Sequence, residues 1–309
     1  MSRKTLITGG AGFIGSALSA HLQSKGHEVF VIDDLSFGRR DLAGVDDAHF
    51  HELDILDREG VANAFRTIAP STVLHLAAIH FIPYCNQHPY SSANINLQGT
   101  MNVLDACAAQ AEVERVFFAS TAAVYPIYEG ALSEDHPTGP LDIYGLSKLM
   151  GERLCSEFNA RSGKTTIIGR FFNAFGPNET NPHLIPEIQK QVNAGAESIS
   201  LGNLEPKRDF IHTQDMSRAM EALLDADIEG VEVFNIGRGI EYSVKEIADA
   251  FSRELGKDLE IVPDPARMRK SDRMHLLADV SKLKKATGWE PEWGIDEGVR
   301  TLLQQDVIY

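Results

Sequence analysis

Two hydrophobic rhythms run through the first half of the chain. Short apolar and β-branched runs recur at Lys4–Thr8, Glu28–Ile32, Phe50–Leu53, Thr72–Leu76, Val113–Ser120 and Thr165–Gly169. Between them, apolar residues return every three or four positions over 13–25, 57–68, about 89–110 and a stretch containing Tyr144 and Lys148. The first rhythm predicts buried strands and the second amphipathic helices, with Gly26 closing the first helix. Strands alternating with helices imply an α/β fold: a doubly wound parallel sheet with right-handed crossovers. Beyond about residue 175 the rhythm turns irregular, and prolines such as Pro177, Pro186, Pro206 and Pro263 punctuate shorter elements. Helices are expected near 184–194, 213–225 and 243–255, and Val233–Ile236 is expected to rejoin the main sheet. The sequence thus divides into residues 1–175, with return elements near 213–240, and a smaller C-terminal α/β lobe over 176–309.

Composition narrows the function classes. The 309-residue chain carries a formal charge of −15, which argues against nucleic acid or an anionic membrane as a partner, since both attract a basic surface. Cys85, Cys107 and Cys155 are few, odd in number and without a C-x-x-C spacing. They read as reduced thiols of a cytoplasmic protein. No secretory leader is expected, because the chain enters a strand directly, and no apolar run approaches the length of a membrane span.

Chemistry begins at the first strand. Gly10, Gly12 and Gly15 satisfy G-x-G-x-x-G within Gly9–Gly15, after a strand and before a helix. This is the Rossmann-type loop that seats a dinucleotide pyrophosphate on a helix N-terminus. Asp33 follows Gly15 by 18 positions and ends the second strand, where a carboxylate accepts hydrogen bonds from the adenosine ribose. It repels a 2′-phosphate and so favours NAD over NADP, although Arg39 and Arg40 stand close by. Tyr144 and Lys148 share one helix face. A phenol is a poor base at neutral pH, and a nearby ammonium together with a cationic nicotinamide would lower its pKa. Thr121, at the end of the preceding strand, can hydrogen-bond the same substrate oxygen. Together these residues predict a hydroxyl/ketone redox site.

The chain resembles the extended short-chain dehydrogenase/reductase family, within its nucleotide-sugar epimerase/dehydratase group. The likeness rests on the loop at 8–15, Asp33-Asp34-Leu35-Ser36, Asp54-Ile55, His75-Leu76-Ala77-Ala78, Asn96 with Gly99-Thr100, Ser120-Thr121 and Tyr144/Lys148. Further along it rests on Arg170-Phe171-Phe172-Asn173, Arg208-Asp209-Phe210-Ile211-His212 with Asp215, Asn235-Ile236-Gly237 and Ala278-Asp279-Val280-Ser281-Lys282. It implies an NAD site lined by Gly9, Gly12, Phe13, Ile14, Gly15, Asp33, Asp34, Leu35, Ser36, Gly38, Asp54 and Ile55. Leu76, Ala77, Ala78, His80, Asn96, Ser120, Tyr144, Lys148 and Phe171 would complete that site. Thr121, Asn173, His183, Arg208, Arg269 and Asp272 would hold a nucleotide sugar, most simply a UDP-sugar, with arginine forks suited to its pyrophosphate. The resemblance also implies a homodimer built on the helices near 89–110 and 144–160.

Two stretches depart from the family pattern. Arg269-Lys270-Ser271-Asp272 lacks the usual glycine before the aspartate, and Ile79-His80-Phe81-Ile82-Pro83 is unusually apolar. His80 is placed to touch either the nicotinamide ribose or the sugar. After Thr121 come Ala122 and Ala123, where relatives that dehydrate or decarboxylate the sugar carry acidic residues. Alanine cannot move a proton, so the expected reaction is C4 oxidation to a 4-keto sugar and re-reduction from its other face. That describes a UDP-hexose or UDP-hexuronate 4-epimerase. A nucleotide-sugar 4-ketoreductase or dehydratase is the alternative, and a dinucleotide-sensing protein without catalysis a more distant one.

Overall fold

The computed structural model describes residues 3–179, 181–264 and 273–304. The chain opens with β1 (Lys4–Thr8), α1 (Phe13–Ser24), β2 (Glu28–Asp33), β3 (Phe50–Glu52), α2 (Arg58–Ile68) and β4 (Thr72–His75). Two short helices, α3 (Ile82–Gln87) and α4 (Pro89–Asn94), precede α5 (Thr100–Ala109), β5 (Arg115–Thr121) and the short β6 (Ala131–Leu132). Then come α6 (Ile143–Ser162), β7 (Thr165–Phe171), β8 (Asn173–Phe175), α7 (Leu184–Asn193), β9 (Ser198–Leu201) and β10 (Lys207–His212). Next are α8 (Thr213–Asp225), β11 (Val231–Ile236), β12 (Glu241–Ser243), α9 (Val244–Leu255) and β13 (Glu260–Pro263). The described chain closes with β14 (Leu277–Ala278), α10 (Ser281–Thr287) and α11 (Ile295–Leu303).

Seven strands form the main sheet in the order β11-β7-β5-β4-β1-β2-β3, and all their pairings are parallel. From β1 the chain first winds outward through β2 and β3, then returns to place β4 on the other side of β1. This reversal opens a crevice at the carboxyl ends of β1 and β4, where open α/β sheets bind ligands. Adjacent strand residues point to opposite faces. Ile7 and Phe117 accordingly join Leu18, Met216 and Met220 on one face, while Leu6 and Phe118 join Phe65, Val103 and Phe158 on the other.

The smaller lobe has its own core, in which Ile188, Phe251 and Val299 of α7, α9 and α11 pack together with Phe210. Its β10 lies between β8, in parallel, and β12, antiparallel. β11 returns to the main sheet beside β7, as its apolar run predicts. Leu283 of α10 and Trp289 also pack on the first lobe, so the chain passes between the lobes several times.

The segment after β4 differs from expectation. The helix predicted over about 89–110 is interrupted by a π turn at Ile95–Gly99. The unpredicted α3 precedes it and stops at His88, because the residue before Pro89 is steered out of helical geometry. At His88 the backbone is at φ −126°, ψ 56°.

Candidate active site

The glycine-rich loop is shaped by close backbone contact. At Gly9, where φ is +76°, a Cβ would lie 2.7 Å from Ala77 N; at Gly15 it would lie 2.1 Å from Gly9 O. No larger residue fits either position without moving the loop. α1 starts at Gly12 with no side-chain cap and no acidic residue in its first turn. The helix dipole and the N–H groups at Phe13 and Ile14 are therefore left to an anion. Asp33 Oδ2 accepts from Ala11 N at 3.0 Å and Oδ1 from Leu35 N at 2.9 Å. Burial pushes this carboxyl up from its ordinary value, against the two backbone bonds. Each oxygen keeps acceptor capacity for a ribose hydroxyl.

Gly38 folds back until a Cβ there would meet Asp33 Oδ1 at 2.8 Å and Ala11 at 3.1 Å. Asp34 accepts from Ser36 N at 3.0 Å and Ser36 Oγ at 2.5 Å. The arginines that bear on NAD against NADP are paired within the loop, Arg39 with Asp41 and Arg40 with Asp47. This loop and crevice fit a dinucleotide lacking a 2′-phosphate. At the neighbouring strand ends, Asp54 caps its own turn through Leu56 N at 2.8 Å. Ile55 is buried, and a Cβ on Gly99 would meet its Cδ1 at 2.4 Å. Leu76 N donates to Thr8 O at 3.0 Å, and Ala77 and Ala78 remain partly open.

Two residues expected at the cofactor are spent elsewhere. Asn96 is almost fully buried, its Oδ1 accepting from Ile79 N at 2.8 Å and its Nδ2 donating to Ile79 O at 3.0 Å. It clamps the backbone of the 79–83 loop from behind. Ser120 Oγ donates to Glu152 at 2.5 Å, because Ser120 and Thr121 necessarily point to opposite sides of β5. Phe171 sits opposite Thr121 in the β5–β7 register and stacks on Phe117 with centroids 6.0 Å apart.

The side chains predicted to be catalytic meet where β5 ends and α6 begins. Asp142 caps α6 through Gly145 N at 2.8 Å and so fixes the first turn that carries Tyr144. The Tyr144 phenol lies beside the Thr121 side chain, whose Oγ1 accepts from Ala123 N at 3.1 Å. One turn on, Lys148 is 3% exposed; its Nζ donates to Ala119 O at 2.8 Å and lies 4.9 Å from the Phe118 ring. Burial holds the Lys148 ammonium down to about 8. Burial also pushes the Tyr144 phenol above its ordinary value, with the Thr121 side chain acting against it. This is opposite to the direction expected from the Tyr144/Lys148 spacing: desolvation of the phenolate dominates in the protein alone.

Beneath this centre lies a buried network missing from the sequence-based site. Arg170 Nε and one terminal nitrogen bond the Glu152 carboxylate at 2.9 and 2.8 Å. Its other terminal nitrogen donates to the Tyr125 hydroxyl at 2.9 Å, which donates to Asn235 Oδ1 at 2.8 Å. A carboxylate four residues past Lys148 on the same helix face was the available signal for Glu152.

In the second lobe Asn173, His183 and Arg208 converge on one cleft of about 300 Å³, which Glu179, Leu201, Asn203 and Tyr242 also line. Sequence reasoning had missed those four. Arg208 is oriented by Lys207 O at 2.8 Å and Arg273 O at 2.7 Å. His183 Nδ1 bonds Glu179, a buried carboxylate whose pKa burial raises. His80 contacts Asn181 at 3.1 Å and Phe81 lies 5.5 Å from the His183 ring, so the loop after β4 reaches the second lobe. Partial desolvation, with the charges of His183 and Lys148, holds the His80 imidazole below its ordinary range. Arg269 and Asp272 lie outside the described residues.

Comparison with known proteins agrees with this geometry. The chain is 31% identical to the UDP-glucose 4-epimerase of Bacillus subtilis over 94% of its length and 93% of that protein. It is 28% identical to the GDP-6-deoxy-D-mannose reductase of Pseudomonas aeruginosa, over 98% and 97%. The crystal structure of Thermus thermophilus UDP-glucose 4-epimerase in complex with NAD superposes with a TM-score of 0.87 at 31% identity, covering 97% of both chains. The family model for GDP-mannose 4,6 dehydratase matches residues 6–302. With a crevice built for a dinucleotide and a Tyr–Lys helix beside it, the chain belongs to this nucleotide-sugar-modifying family.

Proposed function

We propose that the protein is an NAD-dependent UDP-sugar 4-epimerase, acting on a UDP-hexose or UDP-hexuronate. The observation that carries the reading is the placement of Tyr144 beside Thr121 at the end of β5, with Lys148 anchored one turn on by Ala119 O at 2.8 Å. Bound NAD supplies the hydride acceptor and donor. Tyr144 takes the proton of the C4 hydroxyl and Thr121 holds the same oxygen. Since burial opposes the phenolate, Tyr144 acts as a base only when positive charge is brought into the crevice. Lys148, fixed by Ala119 O, contributes part of that charge. Asn173, His183 and Arg208 hold the nucleotide while the 4-keto sugar turns, and Tyr144 returns the proton after reduction of the other face.

Elimination is disfavoured at this site. Ala122 and Ala123 form a short 3-10 turn directly after Thr121 and carry no group able to transfer a second proton. The similarity to a GDP-6-deoxy-D-mannose reductase favours one second reading, a 4-ketoreductase on a nucleotide sugar. UDP-glucose, UDP-glucuronate and UDP-N-acetylglucosamine, each incubated with the enzyme without added reductant, separate the two. Appearance of a C4 epimer supports the epimerase; turnover only with added NAD(P)H would support the reductase. Tyr144→Phe should lower the rate by about 10²–10⁴-fold, and full activity in that variant would remove the assigned role.

A homodimer is part of the same reading. Met101 of α5 and Leu146 and Met150 of α6 leave 44%, 45% and 47% of their surface exposed, an apolar strip suited to a second copy. The described cysteines are buried and unpaired, in keeping with a cytoplasmic location. No described helix is long and apolar enough to cross a membrane.

A further inference from the structure

We propose that Phe37 and Tyr84 form an aromatic clasp across the dinucleotide groove and govern how fast the dinucleotide leaves. Phe37 stands in the loop after β2, and Tyr84 in α3, after β4. β1 lies between β2 and β4 in the sheet. Any contact joining those two connections must therefore arch over the carboxyl end of β1 and the glycine-rich loop. The two rings make that contact edge to face, with centroids 5.6 Å apart and planes at 81°.

Both sides of the arch are anchored independently of a ligand. The Phe37 loop is pinned to one residue of the glycine loop, through Ala11 N to Asp33 at 3.0 Å and Arg39 N to Ala11 O at 3.0 Å. Its tip is left projecting, and Phe37 is 58% exposed. Tyr84 is backed by the His88 ring at 4.4 Å. Its helix is rooted by the buried Cys85, whose thiol donates to Ile79 O at 3.6 Å. Neither aromatic belongs to the loop that seats the pyrophosphate or to the catalytic group.

The inference rests on the reading that this groove binds NAD, and it adds a means of retention. A redox-neutral cycle hands the hydride out and takes it back, so a dinucleotide lost midway strands the keto sugar. Release requires the arch to part. The edge-to-face contact is then lost on the way out, and its energy slows the exit. Breaking such a pair should accelerate release about 2- to 10-fold.

The test loads the full-length protein with NADH, chases it with excess NAD⁺, and follows the decay of NADH fluorescence by stopped flow. Phe37→Ala and Tyr84→Ala should each release NADH about 2- to 10-fold faster than wild type. The double variant should be no faster than the quicker single one, because the second truncation has no contact left to remove. Tyr84→Phe keeps the ring and should keep the wild-type rate. Wild-type rates in both alanine variants, or fully additive effects in the double variant, would overturn the clasp while leaving the NAD reading intact. A wild-type protein that takes up no NADH would overturn both.

Discussion

Replacing Lys148 by methionine should separate catalysis from stability. The ammonium is 3% exposed, and burial lowers its pKa from 10.5 to about 8. Its neutral form is thus favoured by folding, and below pH 8 the folded protein bears the cost of a buried charge. At 1.36 kcal/mol per pKa unit this cost is about 3 kcal/mol at pH 7. The bond to Ala119 O is lost in Lys148→Met, and the orphaned carbonyl returns a penalty of about 1–3 kcal/mol. The variant should therefore be nearly as stable as wild type at pH 7 while losing most activity. The sign of the pH dependence is sharper still. Between pH 8 and 10.5 the unfolded chain binds the proton more tightly than the folded one, so wild-type stability rises with pH relative to the variant. From pH 7 to pH 9.5 the gain should be about 2 kcal/mol. Urea unfolding of both proteins at the two pH values, with no dinucleotide added, measures it. A difference between wild type and variant that stays constant with pH, or moves the other way, would refute the assignment of a strained ammonium.

Gly15→Ala should weaken NAD binding about 5- to 150-fold, since its Cβ would fall 2.1 Å from Gly9 O and force the loop open at about 1–3 kcal/mol; titration calorimetry reads this directly. Glu152→Ala leaves the Arg170 guanidinium buried without the partner it meets at 2.8 Å. It should cost about 3–5 kcal/mol of stability, seen as a lower urea midpoint. Met150→Glu, on the apolar strip of α6, should shift the species seen by light scattering toward the 34.0 kDa monomer; an unchanged dimer would move the interface elsewhere.

Most of the sheet was legible from sequence because a strand buried on both faces is written as a continuous apolar run. Even the distant Val233–Ile236 carried enough pattern to be assigned to the first lobe, where β11 pairs with β7. The glycine loop, Asp33, Thr121, Tyr144 and Lys148 were legible because their chemistry depends on spacing along single elements. Side-chain direction was less accessible. Ser120 and Asn96 occupy the expected places, yet they turn to Glu152 and to the Ile79 backbone. The second-lobe cleft was legible only at Asn173, His183 and Arg208, since Glu179, Leu201, Asn203 and Tyr242 come together from loops and strands far apart in sequence. The phenol of Tyr144 shows a different limit: charge proximity can be anticipated from spacing, but desolvation is a property of the packed surroundings.

The return of β11 to the main sheet has a mechanical consequence. A chain that crossed once between lobes would leave them free to swing about a single hinge. Here it leaves the first lobe after β7, comes back directly from β10 into α8, departs again after β11 and returns once more through α10. These strands of backbone act as a laminated joint, stiff against rotation because every connection must bend together. In the proposed reaction the reversal of face is then assigned to the ligand, with the sugar's own linkage to its diphosphate as the pivot, and not to a swing of the lobes.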